Sequence, residues 1–276
     1  MSTTFTLGPN ALAAGYRLFS YDAVGSTSVE AMALAHGGDS GRVWVASMEQ
    51  TAGVGRRLRP WQTPRGNLAA SVLVVTSIAP QQAATLGFVA GLSLIEALSN
   101  LAPSLVTHAA LDGASGRGAR LSLKWPNDLV SESGAKIAGI LLQAESLPDD
   151  RIGVVAGIGV NVLAPPDGIE TPATSLRELG CETTADELFT ELAESWLGYE
   201  RLWDNGADLP TIRSMWMDRA SGLGEEVAIK IGGEIVRGRF ETIDDEGRLV
   251  VKTPAGRRLI TAGEVYLGAV ASAAAG

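Results

Sequence analysis

Runs of apolar residues recur along the chain in two periods, one near two residues and one near three and a half. Residues 16–21 read as a strand, and Ser26 stands where it can N-cap an alanine-rich helix running to about His36. A second predicted strand covers residues 43–48, and residues 68–75 are almost wholly apolar, as in a strand buried on both faces. Residues 80–101 predict one helix, with Leu86, Val89, Ala90 and Leu94 on its inner face. Residues 102–120 hold Asp-Gly, Ser-Gly and Arg-Gly steps and read as a surface excursion. Three further strands, 121–125, 137–143 and 153–160, end before Pro165, Pro166 and Pro172. From 184 to 218 the spacing is helical again, and its Leu188, Leu192, Trp196, Tyr199 and Trp203 stripe predicts core packing.

After Gly224 the texture changes. Strand-like runs at 227–231, 234–243, 249–252 and 258–261 are broken at Gly232-Gly233, Asp245-Glu246-Gly247 and Pro254-Ala255-Gly256, each a hairpin signal. Short strands at this density predict a small β-barrel. The expected division is therefore a domain over residues 1–220 and a second over 221–276, with the boundary near Ser221.

Composition narrows the class. In 276 residues, 46% hydrophobic and 19% charged content excludes a disordered chain and suits two domains. A net charge of −9 argues against nucleic-acid binding through a basic surface. The lone Cys181 has no partner for an internal disulfide, which fits a reducing cytoplasm. Residues 1–10 carry no secretory pattern, and no run approaches the roughly 18–20 apolar residues of a membrane span. The expectation is a cytoplasmic protein free of membrane and nucleic acid.

Four segments carry candidate chemistry. Residues 50–61 combine Gln50, Gly53, Val54 and Gly55 with Arg56, Arg57, Arg59 and Trp61. Glycines let a backbone approach an anion, and arginines supply charge and donors for phosphate or carboxylate, although a solvated basic loop has the same composition. Lys124-Trp125-Pro126-Asn127-Asp128 brings a cation, an amide and a carboxylate together at a strand end. Such a carboxylate can hold Mg²⁺ while the cation meets a phosphate; a plain turn is the bland alternative. Lys136 opens an apolar strand that continues through Gly139 and Leu141, and it can point into a cleft or simply start the strand. In Gly157-Ile158-Gly159-Val160-Asn161, small residues leave room for a flat ligand and Asn161 can bond a base edge; close strand packing explains the glycines equally.

In this order, and preceded by Gly25-Ser26-Thr27-Ser28, these segments resemble the biotin protein ligases from about residue 16 to 163. The resemblance implies an α+β fold: a class II tRNA-synthetase-like catalytic domain, a mixed sheet flanked by helices, with a small C-terminal SH3-like β-barrel. It implies ATP and biotin as substrates, with Mg²⁺, and a biotin carboxyl carrier domain of a carboxylase as partner. By position, Ser26, Thr27, Ser28 and Gln50 would hold the ureido ring, with Gly53, Val54 and Gly55 presenting backbone. Arg56, Lys136 and Asp128 would be catalytic, with Asp128 also facing the metal. Gly139, Leu141 and Gly157 would line the apolar slot. Arg57, Trp61, Lys124, Asn127 and Asn161 would face ATP.

This chain departs from the family pattern at Ser28 (usually Asn), Val54 (usually Arg) and Leu58 (usually Gly). About 15 residues precede the first predicted strand, too few for the DNA-binding domain of some members, so a form without it and without a repressor role is expected. Some members dimerise through a sheet edge, which makes a homodimer an expectation here. Two other readings share part of the pattern: a lipoyl or octanoyl transferase of the same fold, and a non-catalytic binding module.

Overall fold

A computed structural model describes residues 5–106, 121–166, 168 and 171–267. The first sheet contains β1 (Arg17–Tyr21), β2 (Val43–Ser47), β3 (Leu68–Thr76), β4 (Leu121–Lys124), β5 (Asp128–Ser131), β6 (Lys136–Leu147) and β7 (Arg151–Val160). Their order is β1-β2-β3-β7-β6-β5-β4, and only β1 and β2 run parallel, so the sheet is mixed. The helices are α1 (Pro9–Ala13), α2 (Thr27–His36), α3 (Pro80–Ala83), α4 (Leu86–Leu101), α5 (Pro103–Val106), α6 (Ala185–Trp203) and α7 (Leu209–Met217).

The period-two pattern sorts side chains to two faces. Trp44, Ala46, Leu68, Ala70 and Val72 join the core under α4 and α6, where Trp44 meets Trp196 and Phe189 edge-on. Val43, Val45, Leu73 and Val155 point the other way and pack against Ala31, Met32 and Ala35 of α2. This is why β3 reads as an almost wholly apolar run. Among the described residues, the stretch Pro80–Leu101 is long and apolar enough to cross a membrane, but α4 is buried as the core helix.

A second sheet, β8 (Glu226–Ile231), β9 (Glu234–Ile243), β10 (Leu249–Thr253), β11 (Gly256–Ile260) and β12 (Glu264–Leu267), is antiparallel in the order β11-β10-β9-β8-β12. Ile229, Phe240 and Val251 fill its interior.

Several expectations need correction. The helix over 80–101 is two helices, because Thr85 turns back to the Gln82 carbonyl through both its amide and its hydroxyl. The helix over 184–218 breaks at Asp204, Asn205 and Gly206, which all have positive φ (43°, 52° and 86°). Strand β5 was not foreseen, since its four residues adjoin a turn and show no period of their own. Helix α1 was also missed, at five residues starting from Pro9. Ser26 sits at the N-cap of α2, yet its hydroxyl makes no capping bond and pairs with Ser28 Oγ at 3.1 Å. Of the excursion expected at 102–120, residues 103–106 form α5, and 107–120 lie outside the described residues.

Candidate active site

The candidate residues converge on the α2 face of the first sheet. Gly139 pairs with Gly159 and Leu141 with Gly157 across β6 and β7, so these positions line one side of the sheet. Opposite Gly157 lie the N-terminus of α2 and the hydroxyl of Ser71: a Cβ built on Gly157 would sit 3.5 Å from Ser71 Oγ and 3.7 Å from Ser28 Cβ. At Gly159 the same construction lands 2.4 Å from the Trp61 indole, and at Gly139 it comes within 3.1 Å of Trp61 and of Lys136. Three glycines therefore form a floor on which an indole, or another flat group, can lie against backbone.

One end of this floor is a pocket of small hydroxyls. Gln50 Oε1 accepts from the Thr27 amide (2.8 Å) and hydroxyl (3.2 Å), while its Nε2 donates to Thr63 Oγ1 (3.2 Å). Thr27 Oγ1 and Ser71 Oγ are 2.8 Å apart. Ser26, Thr27, Ser28, Thr63 and Ser71 are all buried, and each hydroxyl can donate or accept. Ser71 and Thr63 escaped the sequence reading. A lone serine in the apolar run of β3 is the signal that could have found the first.

The other end is charged. Lys136 Nζ lies 2.6 Å from Asp128 Oδ1 and 5.3 Å from the Trp61 ring centroid, with both side chains of the ion pair about a quarter exposed. Asn127 is fixed from both sides: its Nδ2 donates to the Ile140 carbonyl at 2.6 Å, and its Oδ1 accepts from Arg56 at 3.1 Å. Lys124 stands opposite Asp128 in the β4–β5 pairing.

The Gly/Arg segment is a small hairpin. The Trp61 amide donates to the Gly53 carbonyl (2.8 Å) and the Gly55 amide to the Arg59 carbonyl (2.7 Å). A side chain at Gly53 would collide with the Trp61 carbonyl, 2.3 Å from the added Cβ, which explains that glycine. The Gly55 amide is thus held inside the loop rather than presented to an anion. Val54 bridges to Pro60 within the hairpin, and Arg57 is exposed at its tip, with Arg57 and Leu58 at φ 56° and 59°. Arg65, beyond the hairpin, forms a double contact with Asp22 and lies 3.7 Å from Glu49.

Asn161 is tied to the backbone around it through its amide nitrogen. It is buried, and its Nδ2 donates to the carbonyls of Thr174 (3.1 Å) and Lys136 (3.4 Å), anchoring the segment that follows β7 to the start of β6. Its Oδ1 is buried without a hydrogen-bond partner.

Residues 34–161 match the model of the biotin/lipoate A/B protein ligase family, and residues 222–268 match that of the biotin protein ligase C-terminal domain. A biotin–[acetyl-CoA-carboxylase] ligase of Paracoccus denitrificans is 38% identical over 88% of this chain and 97% of its own length. One of the same name from Mycobacterium tuberculosis is 32% identical over 87% of this chain and 85% of its own. In three dimensions the chain is similar to a biotin protein ligase from Aquifex aeolicus solved with biotin and ATP. That match has a TM-score of 0.69 at 24% identity, over 91% of this chain and 97% of that one. The chain belongs to the biotin–[acetyl-CoA-carboxylase] ligase family.

Proposed function

We infer that this chain is a biotin protein ligase that activates biotin with ATP and transfers it to a carrier lysine. One observation carries the reading: a glycine-floored slot joins a buried hydroxyl pocket to the Lys136–Asp128 ion pair. Ser26, Thr27, Ser28 and Gln50 suit a ureido ring, whose carbonyl needs donors and whose N–H groups need acceptors. Gly139, Leu141 and Gly157 suit the thiophene and valeryl chain between the two ends.

At the charged end two anions must meet. The biotin carboxylate attacks the α-phosphorus of ATP, forming the acyl–phosphate bond and releasing pyrophosphate. An ammonium has three N–H groups, so Lys136 can keep Asp128 and still donate to the carboxylate and the α-phosphate. Arg56, steadied by Asn127, adds a second fixed cation. Arg57, Lys124 and Trp61 are proposed to face the nucleotide, and the segment Gly53, Val54 and Gly55 to border the biotin. Asn161 is assigned to the same half through its unpartnered Oδ1. In the second step the carrier lysine amine attacks the acyl carbon, and the C–O bond to phosphate breaks to release AMP.

Mg²⁺ would be held by Asp128 and the phosphate oxygens of ATP, neutralising charge on the departing pyrophosphate. A single carboxylate suits an ion that keeps most of its waters, and among the described residues no cluster of three potential metal ligands exists.

The proposed partner is a biotin carboxyl carrier domain, the proposed division of the chain is at residue 220, and the proposed location is the cytoplasm. For a homodimer we favour the β1 edge, where Phe19 is exposed. The opposite edge is occupied, since Leu123 of β4 exchanges backbone bonds with Arg219 and Ser221.

The test is biotin-dependent exchange of labelled pyrophosphate into ATP, followed by transfer of labelled biotin to a purified carrier domain. Exchange that depends on lipoate would move the protein to the lipoyl branch of the family. Exchange with neither acid would leave a binding module.

A further inference from the structure

Within Lys124-Trp125-Pro126-Asn127-Asp128, Trp125 turns away from the slot. It is buried, and its indole Nε1 donates to the backbone carbonyl of Gly247 at 3.2 Å. Gly247 belongs to the turn between β9 and β10 of the second sheet, so one hydrogen bond joins the charged end of the slot to the other sheet.

That turn is unusually well fixed for an exposed hairpin. Asp244 accepts from the amides of Glu246 (3.1 Å) and Arg248 (2.8 Å), and from Arg248 Nε at 2.6 Å. The Gly247 amide returns to the Asp244 carbonyl at 3.0 Å. From outside, Arg213 of α7 pairs with Asp245. Gly247 itself has φ 76° and lies so close to Phe88 of α4 that an added Cβ would be 3.0 Å from the ring. Phe88 in turn packs edge-on to Trp216, with centroids 5.4 Å apart. The Gly247 carbonyl is therefore held by α4 and α7 as well as by its own turn.

We propose that Trp125 is a positioning residue: docked on the Gly247 carbonyl, it sets the height of the β4–β5 turn and hence the placement of Asn127 and Asp128 for the nucleotide. Asn127, whose Oδ1 holds Arg56, lies two positions after Trp125, and Asp128, which holds Lys136, lies three positions after it. Movement of the turn thus reaches both cations through their anchors. The hydroxyl pocket is fixed by α2, β3 and Gln50, none of which touches the turn through these bonds, so the biotin half of the slot is left alone. This inference rests on the ligase reading.

The experiment is pyrophosphate exchange at varied ATP and at varied biotin, with biotin binding measured separately without nucleotide. Trp125→Phe keeps an aromatic ring and removes the N–H. It is expected to raise KM for ATP about five- to tenfold, the effect of one lost hydrogen bond, while biotin affinity stays within about twofold. Gly247→Ala, which pushes the carbonyl away from Phe88, should reproduce that split and serves if the Trp125 variant folds poorly. Arg257→Ala breaks an exposed pair with Glu241 elsewhere in the second sheet and should leave KM for ATP unchanged. An unchanged KM for ATP in folded Trp125→Phe and Gly247→Ala, or a fall in kcat alone, would overturn the proposal. Absence of exchange in the unaltered protein would instead sink the ligase reading itself.

Discussion

Lys136 and Asp128, eight positions apart in the chain, meet at 2.6 Å across the short antiparallel pairing of β5 with β6, in which Asp128 stands opposite Gly139 and Val130 opposite Lys136. Each holds the other in place, and the pair stands at the open end of the glycine floor. On the proposed mechanism, removing the cation leaves two reacting anions without their shared donor. Lys136→Met should slow biotin-dependent exchange by about 10²–10³, with a cooperative melt showing that the chain still folds. Exchange at near-normal rates would remove Lys136 from the chemistry.

Gly159 and Trp61 offer a test of the floor. An alanine methyl at 159 would sit 2.4 Å from the indole, so Trp61 must leave its seat. Gly159→Ala is expected to raise KM for a substrate at least about tenfold, comparable to losing an interaction of ~1.4 kcal/mol. Adding Trp61→Ala to that variant should cost little more, because both changes disturb one contact. Fully additive losses would show that the two residues act separately.

Leu58 occupies the left-handed region at φ 59° and is 86% exposed, so it bears the backbone cost without any burial in return. Leu58→Gly should stabilise the protein by about 0.5–1 kcal/mol, the strain relieved being partly offset by the freer unfolded chain. Thermal melts read the effect as a rise of a few degrees, and a fall in Tm would contradict the strain.

The Gly/Arg hairpin should open to trypsin unevenly. Arg57 is exposed at the tip, whereas Arg65 is tied to Asp22, and the bond after Arg59 precedes Pro60. Cleavage after Arg57 is expected first, and Asp22→Asn should speed cleavage after Arg65. Biotin with ATP should protect Arg57, because the adenylate gives the hairpin an anion to close upon. Mass-mapped digests that show no protection would remove the hairpin from the closed site.

Acid should unfold the protein through a few carboxylates. The Arg17 guanidinium holds Asp39 below the usual carboxylate range, and the Thr184 amide does the same for Glu187 at the start of α6. Burial would raise Asp244, but the Arg248 amide and guanidinium outweigh it and hold it low as well. Because the folded state then binds these protons less readily than the unfolded chain, their stabilisation is complete above about pH 5, begins to fall as pH drops through about 4 and is gone below the lowered folded-state values. Melts from pH 6 down to 3 should show this, and Asp39→Asn should flatten the slope; an unchanged slope would argue against Asp39.

The chain alone determined most of the strands and helices and marked the segments proposed to carry chemistry, because burial imposes periods of two and 3.6 on local sequence. It also placed Ser26, Gln50, Arg56, Asp128 and Lys136 in the candidate site, each inside a short motif readable without contacts. Where it failed, the deciding interactions were distant. Thr85 breaks a helix while accepting a bond from Trp203 at 2.7 Å, and three left-handed residues after Trp203 end α6 where local spacing continues. Arg65 finds Asp22 across 43 positions, and Trp125 finds Gly247 across 122. A hydrophobic period states which face of an element is buried, but not what lies against it. The seat of Trp61 on Gly139 and Gly159, the inward turn of Asn161 and the link from the motif to the second sheet are decided only when the packed sheets bring those partners together.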